Sequence, residues 1–558
     1  MKGNCSSIRI FSVAFASFLA LSSWAQMRSL DDAQQLADSF WPMRRGGENP
    51  EQKIVYTETD SATQHPYFYI FNRGNDEGFI IISADERSKK ILGYSDTGRF
   101  DVNNVPSEMR AWLRVYQKEL KDLALTPDSL LQMDLAQMVF SKGRNASAFA
   151  PSVSPLLGDI NYSQSYPYNA YCPQYYGQTS VTGCVATAAV QIMRYWQYPQ
   201  QPTGKSHSYQ LYDQYFGTTY DTSYDWDNML LNYELQASNE LQQLAVARLM
   251  VDAGIACDMV YSPSESSAYT AKMAMGMMEY FNYDDAMASY QRADFTQPDF
   301  VYYLKRELNA GRPVLFSGAG SGGGHCFVCD GYDANDLFHI NWGWNGMSNG
   351  YFEITNLNPA ALGIGGGSGG YNDDVMFIGG IQPPRNDTQP VYTLSFQQMS
   401  APLNFYCGQR IVIQLSGLSN SSLQAFDGLV AIGLFANGEL TYLLGSESVS
   451  LQSGYHYENL DVYGEFPVDL PDGSYQLVMV FKSNDDTQWH ACLNNNCNCI
   501  DMVLSQQAVS GSFNYTTHYP AFPVTADDAP AIQSVPAQPA NDYLDVDVMP
   551  GEDGGVLW

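Results

Sequence analysis

The spacing of apolar residues changes period along this chain, and each change marks a different kind of element. In SLDDAQQLADSFW and SEMRAWLRVYQKELKDLAL the apolar positions recur at helical spacing, whereas YFYIFNR and GFIIISA read as strands. Residues 26–150 are therefore expected to form a small α+β unit. It ends in SKGRNASAFAPSVSP, a polar, small-residue stretch with the composition of an exposed connector where proteolytic nicking concentrates. Residues 151–384 open with a helical run after Gly183 and close with the short strands HCFVCDGY, LFHINWG and GYFEI, so helices come first and sheet later. Residues 385–525 alternate apolar and polar positions, with turn signals at Asn437-Gly438 and Pro471-Asp472-Gly473, which predicts a β-sandwich module. Residues 526–558 are rich in Pro, Ala and Asp, the composition of a linker or tail.

Composition adds limits to this picture. At 558 residues the chain exceeds a single core, and 45% hydrophobic against 16% charged residues excludes a disordered chain. A formal net charge of -31 repels phosphate backbones and anionic lipid, so nucleic acid is not an expected partner. Residues 1–25 carry Lys2 and Arg9, an apolar run from Ile10 to Leu21 and a small-residue exit at Ser23 to Ala25, the pattern of a secretory signal peptide. That run is shorter than the roughly 20 residues of a bilayer span. The expectation is a secreted or extracellular protein without stable membrane insertion, with surface attachment left open. Of ten cysteines, Cys5 would leave with the signal, and the odd remainder is compatible with one free reactive thiol.

Candidate chemistry centres on TSVTGCVATAAVQIMRYWQYP, which puts Cys184 at a helix N-terminus, where unpaired N–H groups and the helix dipole favour thiolate. The competing reading is an inert buried cysteine, so a partner has to decide. His325, in GSGGGHCFVCDGY, stands at the mouth of a strand and could deprotonate the thiol and later protonate a leaving amine; His339 is its nearest rival. Asn341, in HINWGWNGMSNGYFEI, could hold the imidazole toward sulfur, with Trp342 and Trp344 shielding that bond or simply packing in the core. Gln164, in NYSQSYPYN, could offer its amide, beside the Cys184 N–H, to an oxyanion.

Together NYSQSYPYN, TGCVATAAVQIMRYWQYP, GGGHCFVCDGY, FHINWGWNGMSNGYFEI and LNPAALGIGGGSGGYN resemble the streptopain family of papain-clan cysteine peptidases. The resemblance implies an α+β papain-like catalytic domain at 151–384, with Cys184 as nucleophile, His325 as base and Gln164 as oxyanion donor. It implies that the Gly324 backbone meets substrate, and that Asn341, in part with Trp342, orients the histidine. It further implies that 26–150 is an inhibitory propeptide, that the substrates are proteins or peptides, and that no cofactor is needed. Two alternatives stay open: a Cys-His cell-wall amidase, and a non-catalytic binding protein in which the β-sandwich does the work. The run Gly363 to Gly370 lacks the Lys-Ser/Thr of a phosphate loop and reads as a mobile loop beside the cleft. Cys326 and Cys329 read as strand neighbours on alternating faces rather than zinc ligands; Cys492, Cys497 and Cys499 are compact enough for a metal or a disulfide but read as structural or redox cysteines with their pairing open, so no metal is expected.

Overall fold

The computed structural model describes residues 27–41, 50–125, 149–211, 213–295, 297–320, 323–354, 375–386, 388–493 and 499–514. Residues 1–25, read above as a signal peptide, most of the connector, the Gly363 to Gly370 run, Cys497 and residues 526–558, read above as a linker or tail, lie outside the described residues.

The N-terminal unit consists of helix α1 (Leu30–Phe40), strands β1 (Gln52–Thr59), β2 (Pro66–Arg73), β3 (Phe79–Ser83) and β4 (Ile91–Ser95), and helix α2 (Ser107–Leu125). Ser29 starts α1 because its hydroxyl accepts the Asp32 N–H at 3.1 Å. Strand β3 is buried along its whole length, since α1 covers one face through Ala33 and Ala37 and α2 the other through Met109, Trp112 and Tyr116.

The central unit carries the small hairpin β5 (Gln174–Tyr175) and β6 (Gln178–Thr179), helix α3 (Cys184–Trp196), and the hairpin β7 (Ser206–Leu211) and β8 (Gln214–Thr219). Helices α4 (Glu240–Ala256) and α5 (Thr270–Phe281) follow, then β9 (Ala288–Gln291) and helix α6 (Gln297–Asn309). The antiparallel strands are β10 (Val314–Gly320), β11 (Gly323–Tyr332), β12 (Phe338–Asn341), β13 (Gly350–Phe352) and β14 (Met376–Gly379). Helix α4 begins in a capping box in which Asn239 and Gln242 satisfy each other's main-chain N–H groups. Strands β10 to β14 follow the helices, the order expected from the sequence, while the hairpins β5–β6 and β7–β8 and strand β9 come earlier.

The N-terminal and central units share one sheet. Its ten strands run β1-β2-β3-β4-β13-β12-β11-β10-β14-β9, so β4 adds the N-terminal strands to the edge of the central sheet, with Tyr94 opposite Tyr351 and Gly93 opposite Phe352. Across that seam Tyr94 and Tyr351 stack at 5.1 Å, and Trp112 Nε1 and the Tyr116 hydroxyl donate to the Glu353 carbonyl at 3.0 and 2.6 Å. Burying each of these aromatic side chains contributes about 2 to 3 kcal/mol, so the seam is a core and not a surface contact.

The C-terminal unit consists of β15 (Leu394–Ser395), β16 (Gln398–Ser400), β17 (Asn404–Tyr406), β18 (Arg410–Asn420), β19 (Phe426–Ala436), β20 (Glu439–Leu451), β21 (His456–Glu465), β22 (Gly473–Ser483), β23 (His490–Ala491), β24 (Cys499–Ser505) and β25 (Ala508–Asn514). They form a four-stranded and a seven-stranded sheet over one core that includes Ile413, Leu415, Ile432, Leu477 and Met479. This β-sandwich docks on the central unit: Leu423, 3% exposed, belongs to the helical core of α3 to α5, while Val391 and Leu493 join the core beneath the sheet. Among the described residues no helix is long and apolar enough to cross a membrane.

Candidate active site

Helix α3 starts where the sequence placed it, with Cys184 as its first residue. Gly183 turns the chain into the helix at φ 86°, and its carbonyl accepts the Thr187 N–H at 3.1 Å and the Thr187 hydroxyl at 2.9 Å. A Cβ at Gly183 would lie 2.7 Å from the Met259 sulfur, so both conformation and space require glycine here. The dipole argument predicts a depressed thiol pKa. Main-chain N–H groups of Cys326, Val185 and Cys184 do pull it down, but burial first and the Glu108 carboxylate second push it up to about 12. Both act against the thiolate while the N-terminal unit is in place.

Gln164 is brought to Cys184 through the backbone: the Thr182 N–H donates to the Gln164 carbonyl at 3.1 Å, two residues before the helix begins. The Gln164 side-chain amide donates in turn to Glu108 Oε1 at 3.2 Å, and the Trp344 indole N–H donates to Glu108 Oε2. Glu108 comes from the first turn of α2 in the N-terminal unit and is 2% exposed. Burial raises its carboxyl pKa, against the pull of its own N–H, Trp344, Ser107 and Gln164.

His325 lies on β11 opposite Gly318, 7% exposed. Alternation along the strand puts it on the side of Phe327, which Trp112 of α2 covers with ring centroids 6.0 Å apart, while Cys326 faces the helical core. Burial lowers the imidazole pKa; Glu265 raises it and Arg114 of α2 lowers it further. Among the described residues no hydrogen bond joins His325 to Cys184, Gln164 or Asn341. The start of the strand does lie against α3, since the N–H of the next residue, Cys326, acts on the Cys184 thiol.

Asn341 is opposite Val328 at the end of β12, and its amide is committed elsewhere. It donates to the Ile160 carbonyl at 3.0 Å and Asn161 Oδ1 at 3.2 Å, and accepts the Gly343 N–H at 3.0 Å. Trp342 is 1% exposed, packs on Phe327 and Phe352, and donates its indole N–H to the Ser348 carbonyl at 3.0 Å. Trp344 bonds to the N-terminal unit through Glu108. Gly324 sits beside His325 on β11, opposite Ala319. His339, the rival base, is paired with the buried Asp330 at 2.6 Å.

Sequence reasoning passed over Glu108, Arg114 and Glu265, and nothing local marks them: a first-turn acid and an exposed arginine are ordinary features of a helix. Cys326 and Cys329 fall in separate cores on opposite faces of β11, as alternation required. The eight described cysteines are free, and no group of three or more His, Cys, Asp or Glu among the described residues is placed to hold a metal.

Comparison with known proteins accounts for both halves of this site. The Peptidase C10 family model matches residues 162–352, and the Spi protease inhibitor model matches residues 25–120. Streptopain of Streptococcus pyogenes is 36% identical over 339 residues, 56% of this chain and 80% of that one. The thiol protease/hemagglutinin PrtT of Porphyromonas gingivalis is 31% identical over 372 residues, 64% of this chain and 42% of that one. A solved fragment of prointerpain A from Prevotella intermedia matches with a TM-score of 0.50 and 27% identity, covering 60% of this chain and 99% of that one. The chain belongs to the streptopain family, peptidase family C10, as a cysteine peptidase whose N-terminal unit is a Spi-type inhibitor domain.

Proposed function

We propose that the chain is an exported zymogen that hydrolyses peptide bonds in proteins outside the cell, with Cys184 as the nucleophile. His325 takes the thiol proton and returns it to the leaving amine, then activates the water that releases the acyl group. The Gln164 amide and the Cys184 N–H hold the oxyanion, and the Gly324 backbone meets the substrate. Asn341 acts by holding the segment that carries Gln164, and Trp342 by packing behind the histidine strand. The proposed boundaries are 1–25 for the signal, 26–150 for the propeptide, 151–384 for the peptidase, 385–525 for the β-sandwich and 526–558 for the tail, with activation by a cut in the 142 to 153 region.

The observation that supports the reading is the main-chain hydrogen bond of 3.1 Å from the Thr182 N–H to the Gln164 carbonyl, which joins the Gln164 segment to the turn that opens the Cys184 helix. In the precursor α2 packs on the face of β11 that carries His325, so its removal is expected to uncover the ring. The test follows the purified precursor and its Cys184→Ala form under mild reductant, by mass and then by casein hydrolysis. Wild type is expected to shorten within 142–153 and then to digest casein, while the variant stays whole. If the linker is cut by another protease and no thiol-dependent hydrolysis follows, the reading fails.

A further inference from the structure

Cys326 is a thiol that the proposed mechanism does not use, and it stands against the one that the mechanism does. It follows His325 on β11, opposite Ser317 of β10, and alternation turns its side chain into the helical core against which Cys184 packs. Helix α3 lies against β11, and the Cys326 N–H acts on the Cys184 sulfur, so the side chain that branches from the next backbone atom shares that space. The two thiols differ in access. Cys184 is partly exposed, whereas Cys326 is 2% exposed, and burial first and the charge of Cys184 second push its pKa well up, against the pull of the Thr270 hydroxyl. Cys257, 1% exposed, is the third thiol of this cluster, but its S–H donates to the Gly254 carbonyl at 3.3 Å. All three are free.

We propose that Cys184 and Cys326 form a redox pair in the matured chain, in which a hydroperoxide oxidises Cys184 and Cys326 captures the product as a disulfide. The Cys184 thiolate attacks one peroxide oxygen and the O–O bond breaks; the sulfur becomes a sulfenic acid, and the other oxygen leaves as hydroxide or alkoxide and takes up a proton. The Cys326 sulfur then attacks the Cys184 sulfur, the S–O bond breaks, and the hydroxyl leaves with the Cys326 proton as water. In sum the two thiols lose two electrons to one hydroperoxide. Access sets the division of labour: a buried thiol of raised pKa does not meet the oxidant, yet a neighbour held in place needs no high reactivity of its own. The disulfide keeps Cys184 from going on to sulfinic acid, and a reductant restores it, so the oxidised enzyme is recoverable. Cys329, in the other core on the opposite face of β11, has no part in this despite its C-x-x-C spacing. The inference rests on the reading that cutting the connector uncovers Cys184.

The test uses the chain after self-conversion, or after another protease has cut the connector, freed of reductant and treated with excess hydrogen peroxide. Free thiols are then alkylated, unreduced peptides are mapped by mass, and casein hydrolysis is followed before and after dithiothreitol. The parent is expected to lose hydrolysis, to yield the Cys184 peptide joined to the Cys326 peptide, and to regain nearly all its activity with dithiothreitol. Cys326→Ala and Cys326→Ser keep the N–H and remove the resolving thiol; both are expected to lose hydrolysis, to carry sulfinic acid at Cys184 and to stay inactive in dithiothreitol, while Cys257→Ala behaves as the parent. A parent whose Cys184 joins Cys257, or reaches sulfinic acid with no joined peptide, overturns the pair, and so do Cys326 variants that recover as the parent does. If the joined peptide forms in a chain that hydrolysed no casein before peroxide, the pair stands and the peptidase role of Cys184 falls.

Discussion

The side-chain amide of Asn341 donates to the main-chain oxygen of Ile160 at 3.0 Å, tying the end of β12 to the segment that leads into Gln164. With Asn161 and the Gly343 N–H also bonded, Asn341 is a buried structural junction. Asn341→Ala should lower stability by about 2 kcal/mol in urea unfolding, because it leaves buried partners unsatisfied. The activity that remains should keep the parental pH profile. A variant of full stability with a shifted profile would instead mark direct orientation of His325.

Gly183→Ala puts a side chain at φ 86° and into the Met259 sulfur, 2.7 Å from the new Cβ. The expected loss is about 2 to 4 kcal/mol, and the start of α3 should shift, so catalysis falls along with the melting temperature.

Acid sensitivity should centre on Glu307 of α6. It bonds Arg306 at 2.7 Å, Arg312 at 2.6 Å and the Gly380 N–H at 2.8 Å. Burial alone would raise its carboxyl, but the two arginines and the N–H outweigh that and lower it from the ordinary 4.5 to about 2. A depressed carboxyl contributes stability that is fully present above pH 4.5 and lost as pH falls toward 2. The contribution is on the order of 3 kcal/mol. Urea unfolding of Glu307→Gln should show lower stability at neutral pH and a flatter dependence between those two values.

Leu423 inserts from the β-sandwich into the helical core of the peptidase, next to a Gln424 amide that donates to the Asp285 carbonyl at 2.9 Å. Leu423→Ala should cost about 2 to 4 kcal/mol and separate the melting of the sandwich from that of the peptidase. Calorimetry checks this: one joint transition in the parent, two in the variant.

What could be read from the sequence is what local periodicity and turn chemistry determine. The apolar spacing of SEMRAWLRVYQKELKDLAL matches α2 over its full length, and Asn437-Gly438, at φ 54° and 84°, is the two-residue turn joining β19 to β20. Cys184 at a helix start followed from Gly183 and the apolar run behind it. The pairing of β4 with β13 did not, because period-two alternation identifies a buried face and not the partner strand. Strand β1 was missed because it is largely exposed and has only a weak alternation. The direction of the Cys184 pKa was also out of reach, since it depends first on burial in the fold and then on a carboxylate distant in sequence.

The most direct measurement incubates the matured chain with a peptidyl chloromethyl ketone and maps the modified residue by mass. The account predicts stoichiometric label on Cys184 alone, with casein hydrolysis lost in proportion to labelling and neither seen in the uncut precursor. Label on another cysteine in step with inactivation, or hydrolysis that persists with Cys184 fully modified, would contradict it.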